Sequence, residues 1–454
     1  MSLFGMLGTT ARALDAQRFG LDVVGNNLAN VNTAGYSKRV VDLGAVPPSD
    51  RYSAGNGVEV LSVRSMRDRL YDQRLFDELP LEQQQAAISD ALGLAEVALG
   101  KPGGSIDAAL ADFFDAFAEL SDSPASTTAR QQVVSEAQAL AGDFSSMASR
   151  LSDAARATDA RVRSDVERIN ALTTQLATLN KSIGSSPASD ALHLQDEQVQ
   201  AVKELSGLLG TQVLQLSDGT VQVSTRSGKP LVIGSDAYPL GVTNAPGTGF
   251  AQVTSGGTDI TAAIGDGHLA GLIEVRDTLI PGYTTRLDEL AHAVATQVNT
   301  LHATGYDLTG TAGGAFFTPP ATVAGAAAGL QVSAAIAGDP SRVAAAAVAA
   351  PGDNQIARQL ANLRDGTFVS GATPGAAWSG LVYRVGADVS AAEGEQRSRG
   401  EIVNQIELLR DSVSGVSIDE EAAMMMRFQR AYEANARFFT VIDETLQTLL
   451  SLKR

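Results

Sequence analysis

The sequence predicts a mainly α-helical protein with a β-rich insert, in which helices from the two ends of the chain pair as a coiled coil. Apolar residues recur at alternating steps of three and four near both ends, which is typical of a coiled-coil seam. The same spacing fills long segments between the ends and predicts an elongated helical bundle. A central stretch loses this spacing and carries hairpin signals, which predicts a small β-rich outer domain.

The composition excludes several classes of protein. The chain has 454 residues, more than one hydrophobic core usually supports, so two to four structural units are expected. Its net charge of −17 argues against a nucleic acid partner, because phosphate binding needs clustered Lys and Arg. The absence of cysteine excludes disulfides and thiolate metal sites. The first residues lack the features of a signal peptide and no segment is apolar enough to span a membrane, so neither a cleaved leader nor membrane insertion is expected.

The N-terminal segment carries the first coiled-coil seam, with a leucine every seven residues. These leucines are Leu7, Leu14, Leu21 and Leu28. The helix is expected to end near Asn30, where turn-forming residues lead to Gly35.

The last helix carries the second seam, after a short interruption at Ser414–Ser417. Its members are Met425, Phe428, Tyr432, Asn435, Phe439, Ile442, Leu446 and Leu449. A narrow apolar seam cannot be buried alone, and isolated helices are marginal in water. The first helix is therefore expected to pair with the last.

Between the ends, the pattern predicts further helices and strands in a definite order. Helices are expected near residues 66–99, 105–120, 127–183, 189–209, 272–302 and 381–413, with a break at Pro281-Gly282. Strands are expected at 40–43, 58–63, 213–216, 221–223 and 231–233, with Asp218-Gly219 forming a primed hairpin turn. Residues 305–350 are rich in Gly, Ala, Thr and Pro and predict a loosely structured insert.

We interpret this order as four domains, with the middle of the chain inserted between its paired ends. A terminal coiled-coil domain comprises residues 1–62 and 413–454, and a helical bundle comprises 63–210, 271–304 and 351–412. A β-rich insert covers 211–270, and a small Gly/Ala-rich insert covers 305–350.

Short motifs at both ends resemble a known family. The segment from Asn26 to Tyr36 resembles the N-terminal signature of flagellar rod, hook and hook-associated proteins, and Gln429–Ala436 is similar to the matching C-terminal pattern. The signature residues are Asn26, Asn27, Asn30, Asn32, Thr33, Gly35 and Tyr36. Three further stretches, 35–38, 352–357 and 414–421, are similar to the family member that joins the hook to the filament.

The resemblance implies a structural subunit of the bacterial flagellum at the hook–filament junction, secreted and extracellular, without a cofactor. It implies export by the flagellar type III apparatus and assembly, through the terminal helices, into a ring of identical subunits. The implied neighbours are the hook protein and a second hook-associated junction protein, and a cytoplasmic chaperone is implied at the C-terminal helix. The alternative is another axial protein, a hook or distal rod subunit, for which less helix is expected across residues 66–209.

Several polar residues admit two interpretations. The seam residues are either intramolecular core or contacts to neighbouring subunits, and both can hold. Gln17 and Asn435 either fix the register of the pair or face a wet part of the assembly. The signature asparagines are more simply explained by helix capping and backbone hydrogen bonds than by a ligand. Acidic Asp419-Glu420-Glu421 is explained by the helix dipole, with Ser417 as the N-cap, rather than by a metal or acid–base site.

The sequence offers no support for catalysis. The four histidines lie in different segments, except His292 and His302, which are ten residues apart on one helix and too distant to share a metal. No nucleophile, zincin or phosphate-loop motif is present. The enzyme alternative is a glycan hydrolase with two carboxylates in the middle region, which requires a concave pocket and a raised carboxyl pKa.

We predict that the terminal helices are poorly ordered in the free monomer and become ordered in the assembly. Two seams with polar interruptions bury little area, and Gly25 weakens the first helix by about 1 kcal/mol relative to alanine. Hydrogen exchange on the monomeric protein tests this. Slow exchange across residues 7–28 and 428–449 would contradict it.

Overall fold

A computed structural model describes residues 3–48, 55–100, 105–187, 190–350 and 352–452. Ser189, where one helix was expected to begin, lies outside these residues. Among the described helices, none has both the length and the apolar character needed to cross a membrane.

The described residues are mainly helical, as the sequence predicts. In chain order the helices are α1 Leu3–Ala29, α2 Arg69–Leu99, α3 Ser105–Asp122, α4 Thr127–Ser185, α5 Leu192–Leu208, α6 His268–Glu274, α7 Ile280–His302, α8 Ala334–Gly338, α9 Gln355–Ala361, α10 Pro374–Ser414 and α11 Ile418–Ser451. The strands are β1 Arg39–Ala45, β2 Val58–Ser65, β3 Thr211–Gln215, β4 Val221–Thr225, β5 Pro230–Ile233, β6 Asp236–Ala237, β7 Leu240–Asn244, β8 Ala251–Ser255 and β9 Thr258–Asp259.

The bundle is built around α2, α4 and α10. Helices α2 and α10 pack along each other, and α4 contacts α2, α3, α5, α6 and α7. With 59 residues, α4 is about 90 Å long at the usual rise per residue. Its N-cap is Ser126, whose hydroxyl accepts a hydrogen bond from the backbone N–H of Ala129 at 3.2 Å. The largest buried side chains of the bundle include Trp378, Phe113 and Phe144, so the main core lies here and not at the chain ends.

Polar side chains on α4 hold the β insert. Asp159, Asn170 and Asn180 are 11 and 10 residues apart, about three helical turns, so they lie on one face of the helix. They bond to the backbone of Ala251 (2.7 Å), Leu240 (2.8 Å) and Val221 (2.8 Å), respectively. Both antiparallel sheets of the insert, β3-β4-β5-β6 and β7-β8-β9, are thereby attached to the same helix.

The hairpin between β3 and β4 is confirmed, but its turn is not the expected primed one. Gly219 has a φ of 86°, whereas Asp218 has a negative φ, and a type I′ turn requires positive φ at both central residues. The N–H of Leu216 donates to the carbonyl of Thr220 at 2.8 Å, which closes a three-residue loop. A three-residue loop needs only one left-handed residue, and glycine supplies it.

The expected helix break at Pro281-Gly282 is wrong. Helix α7 runs through both residues, and the irregularity is a π-helical turn at Val275–Leu279, directly before α7. Pro281 lacks the N–H that an α-helix would bond to residue 277, and the π turn lies where that bond would be. The chain therefore absorbs the proline without interrupting the helix.

The 305–350 segment has little regular structure, as expected, but it is not loosely packed. Its Phe316 and Phe317 are fully buried, with ring centroids 5.7 Å from those of Phe117 and Phe113, respectively. Small residues let its backbone lie close to the helices, and an aromatic cluster anchors it. The segment is part of the main core.

We predict that acidification destabilises the fold through His302. This side chain is fully buried: Nδ1 donates to the carbonyl of Gly314 at 2.7 Å and Nε2 accepts from the N–H of Ala344 at 2.8 Å. Burial lowers the pKa of His302 below its ordinary 6.5, with Arg130 acting in the same direction. A lowered pKa contributes stability that is present above the unfolded value and lost as pH falls through the folded value.

The melting temperature should therefore fall between about pH 7 and about pH 5 in the parent and much less in His302→Gln. His193→Gln, at an exposed position, is the matched control and should keep the parent's pH dependence. An NMR titration of His302 with a midpoint at or above 6.5 would contradict the prediction.

Candidate assembly site at the paired chain ends

Helices α1 and α11 pack along each other, so the predicted pairing of the chain ends is confirmed. The fully buried residues of α1 are mostly small or polar: Thr10, Ala16, Gly20, Val24 and Asn27. On α11 only Glu421 and Ile442 are fully buried among the described residues. The two helices therefore pack closely, but few large apolar side chains are fully buried between them.

The closest approach lies at Gly20. A Cβ on Gly20 would lie 2.6 Å from the ring of Phe428, closer than side-chain atoms normally come. The missing side chain makes the space that the aromatic ring occupies. Glycine at this position is thus explained by packing between the two helices and not by backbone conformation.

The seam residues named from the sequence lie at different depths. Those that are half-buried are Leu7, Leu14, Leu21, Leu28, Met425, Phe428, Asn435, Phe439 and Leu446. Ile442 is buried, whereas Tyr432 and Leu449 are 40% and 50% exposed. The leucine row on α1 thus flanks the most buried row instead of forming it, because small residues let the helices approach closely.

Asn435 makes no bond across the pair in the described residues: its Nδ2 donates to the carbonyl of Ala431, in its own helix, at 2.8 Å. Gln17 is half-buried. The geometry therefore shows no register-fixing hydrogen bond from Asn435.

Asn27, in the last turn of α1, joins three parts of the chain. Its amide exchanges two hydrogen bonds with the backbone of Arg39, at 2.9 and 3.0 Å. Its Nδ2 also donates to Glu421 Oε2 at 2.9 Å, across 394 residues of sequence. Both Asn27 and Glu421 are 1% exposed. An unpaired buried amide or carboxylate would be costly, so each requires the other.

Lys38 binds the same acidic turn. Its Nζ lies 2.8 Å from Glu420 and 3.2 Å from Glu421. Burial disfavours the charged lysine, but its hydrogen bonds to Glu420 and Glu421 outweigh that effect and raise the pKa of Lys38. The contact also lowers the pKa of Glu420. The lysine and both carboxylates form one charged cluster at the start of α11, where Ser417 caps the helix as expected.

A second carboxylate, Asp196 of α5, receives two arginines. Arg67 Nη2 lies 2.6 Å from Asp196 Oδ1, and Arg39 Nη2 lies 3.4 Å from Oδ2. Arg67 also donates to Ser37 Oγ at 3.2 Å. Burial raises the pKa of Asp196, and the two guanidinium groups oppose this. The bundle is thereby tied to the segment that follows the signature.

The other signature residues shape the loop between α1 and β1. Gly35 has a φ of 81°, and any side chain there would overlap Gln200 of α5. The hydroxyl of Tyr36 donates to Asn27 Oδ1 at 2.8 Å and lies 3.1 Å from Asn26 Oδ1. The remaining members are Asn30, which donates to the carbonyl of Asn26, Thr33, which donates to Asn30, and Asn32, which is exposed. These bonds support the capping and backbone interpretation of the asparagines.

No group of three or more potential metal ligands occurs among the described residues. A groove of about 940 Å³ does lie between β3–β5 and helices α2 and α5, with Asp72 and Asp77 among its lining residues. Burial raises the pKa of Asp72, while Arg67, 3.6 Å away, opposes this. Both carboxylates of this groove lie on α2, outside the middle region, and Asp72 is paired with Arg67. The groove therefore does not provide the two middle-region carboxylates that the hydrolase alternative requires.

Sequence reasoning missed the role of Glu421. An acidic residue in a first helical turn already has a local explanation, so nothing in the pattern indicated a distant partner. The roles of Lys38, Arg39, Arg67 and Asp196 were also missed, because isolated charges separated by long stretches of sequence carry no periodic signal.

We predict that Gly20→Ala weakens the terminal pair, because the new methyl group meets the Phe428 ring; overpacking of this kind costs about 1–3 kcal/mol. Gly25→Ala is the matched control on the same helix, since a Cβ there contacts nothing within 4 Å. It should strengthen the helix by about 1 kcal/mol. Amide hydrogen exchange in α1 should accelerate in the first variant and slow in the second. Equal changes in both would contradict the prediction.

Comparison with known proteins supports the resemblance at both ends of the chain. The family model described as flagellar hook-associated protein FlgK helical domain matches residues 93–317. The model described as flagella basal body rod protein matches residues 7–36, and the one described as flagellar basal body rod FlgEFG protein C-terminal matches residues 409–452.

Two curated relatives match over nearly their whole length. Flagellar hook-associated protein 1 of Bacillus subtilis (strain 168) is 28% identical over 504 residues, with 99% of this chain and 98% of the relative covered. The protein of the same name from Escherichia coli (strain K12) is 23% identical, with 99% and 100% covered. The flagellar hook junction protein FlgK from Burkholderia pseudomallei shares the fold, with a TM-score of 0.67 and 17% identity over 75% of this chain and 100% of that one. The chain is a full-length homologue of flagellar hook-associated protein 1, and its residues 93–317 match the FlgK helical domain.

Proposed function

We propose that this chain, a structural protein of the flagellar hook–filament junction, assembles there into a ring of identical subunits through its paired terminal helices. Its neighbours are other flagellar axial proteins, specifically the hook protein on one side and a second hook-associated junction protein on the other. It leaves the cell through the flagellar type III export apparatus, after a cytoplasmic chaperone has bound its C-terminal helix. The family is structural, so no catalytic role is assigned.

The observation that carries the assembly proposal is a second apolar row on α11 and its C-cap residue, Leu452. Phe438, Val441, Leu449 and Leu452 are 52%, 56%, 50% and 76% exposed. Their spacing places them on one side of the helix, about a quarter turn from the seam that faces α1. A half-exposed phenylalanine followed by three exposed aliphatic residues on one helical face is typical of a surface that another chain covers.

Helix α1 also exposes large apolar side chains. Its Phe4 and Phe19 are 74% and 40% exposed, although their helix is already paired with α11. The predicted seam residues therefore have both roles: some close the pair within one subunit, and those that remain exposed, Tyr432 and Leu449, contact neighbouring subunits. The four-domain division is likewise a proposal, with the inserts directed away from this surface.

The helical region favours a junction protein over a hook or distal rod subunit. Helices α2, α3, α4 and α5 occupy most of the span from 69 to 208, where less helix was expected for the alternatives. The matching model for this region is that of the hook-associated helical domain.

The test is Phe438→Asp in a strain that lacks the natural gene. A buried carboxylate without a partner costs several kcal/mol, so incorporation should fall by about tenfold or more and swimming should be lost. The variant chain should still appear in the medium, because export precedes assembly. Thr440→Asp, at an exposed polar position two residues away, is the matched control and should swim normally. Normal swimming of Phe438→Asp would overturn the proposal.

A further inference from the structure

Three consecutive residues after the signature, Ser37, Lys38 and Arg39, contact both the terminal pair and the bundle. Lys38 reaches Glu420 and Glu421 of α11. On the opposite side, Arg39 reaches Asp196 of α5, and Ser37 accepts a hydrogen bond from Arg67, which itself binds Asp196. Alternate residues of an extended segment point in opposite directions, which allows this division.

Backbone bonds complete the arrangement. The N–H of Lys38 donates to the carbonyl of Ser414, the last residue of α10, at 2.8 Å. The N–H of Asp68, just before α2, lies 3.4 Å from Ser414 Oγ. Helices α2 and α10 therefore meet this segment at the point where the terminal domain begins.

We infer that Ser37, Lys38 and Arg39 form a two-sided clamp that sets the orientation of the terminal helix pair relative to the bundle, with Glu421 and Asp196 as its two receptors. This rests on the proposed function, in which the pair must be presented to neighbouring subunits in a fixed direction. The clamp lies at the base of the pair, so it holds the last turn of α1 and the first turn of α11 even where the helices beyond it are loose. Asn27, Lys38, Arg39 and Arg67 are positioning residues in this scheme.

The charges on each side are separable, which gives the inference distinct consequences. Glu421 is 1% exposed and binds only the terminal-domain side of the clamp, through Asn27 and Lys38. Asp196 binds Arg39, Arg67 and Ser37, on the bundle side. Removing one receptor should release one side and leave the other intact.

The chain contains no cysteine, so pairs of spin labels can be placed without background. Strand β2 pairs antiparallel with β1, which begins at Arg39. Glu59→Cys on β2 with Glu167→Cys on α4 reports this strand pair relative to the bundle, and Glu59→Cys with Ala422→Cys reports it relative to the start of α11. All three positions are exposed. Distance distributions are measured by double electron–electron resonance on the purified full chain.

Asp196→Ala should broaden the first distribution by about twofold or more and leave the second unchanged, whereas Glu421→Ala should do the reverse. Each change leaves the positively charged or amide partners of one carboxylate uncompensated, at a half-buried position for Asp196 and a buried one for Glu421. Asp419→Ala, which removes an exposed carboxylate from the same first turn of α11, is the control and should change neither. Circular dichroism verifies that the bundle is folded in each variant. Unchanged distributions in both receptor variants, or equal broadening of both distances by either one, would overturn the clamp. Neither result bears on whether the subunit enters the flagellum, which the swimming assay decides separately.

Discussion

The pairing of α1 with α11 is the constraint on which the rest of the structure depends. Once the two ends lie side by side, every intervening segment must leave from one place and return to it. The chain meets this requirement with α2 and α10, which pack along each other and carry the outer structure away from the pair and back. The contact between Asn27 and Glu421, 394 residues apart, closes this loop in a single hydrogen bond.

The energetic centre of the molecule lies elsewhere. Trp378, Phe113 and Phe317 are fully buried in the bundle, whereas α1 buries only small or polar residues and one valine. Burial of apolar area contributes roughly 25 cal/mol per Å², so the bundle supplies most of the stability of the described chain. The terminal pair relies instead on close approach at Gly20 and on the hydrogen bonds and ion pairs at its base.

Sequence periodicity predicted the helices and the pairing of the ends, because each of these leaves a repeated apolar pattern. The loss of that pattern, together with the Asp218-Gly219 turn, located the β insert. It did not predict contacts that depend on one residue. The π turn before Pro281 and the three-residue loop at Gly219 are local backbone choices that several turn types could satisfy. The 305–350 segment was misjudged because its Gly and Ala content resembles a linker, while Phe316 and Phe317 alone determine that it packs. In the site, no sequence pattern indicated the roles of the receptors Glu421 and Asp196.

The uneven distribution of burial suits a subunit that folds in two steps. A bundle with its own aromatic core can fold in the isolated chain, and the base of the terminal pair is attached to it through Lys38, Arg39 and Arg67. Beyond that base, α11 presents apolar residues on two faces, and one partner helix covers only one of them. In the assembly that we propose, another chain covers this second face, and the apolar surface that the lone pair leaves exposed is the surface that drives association. In this proposal, weak pairing within a subunit and association between subunits have the same physical origin.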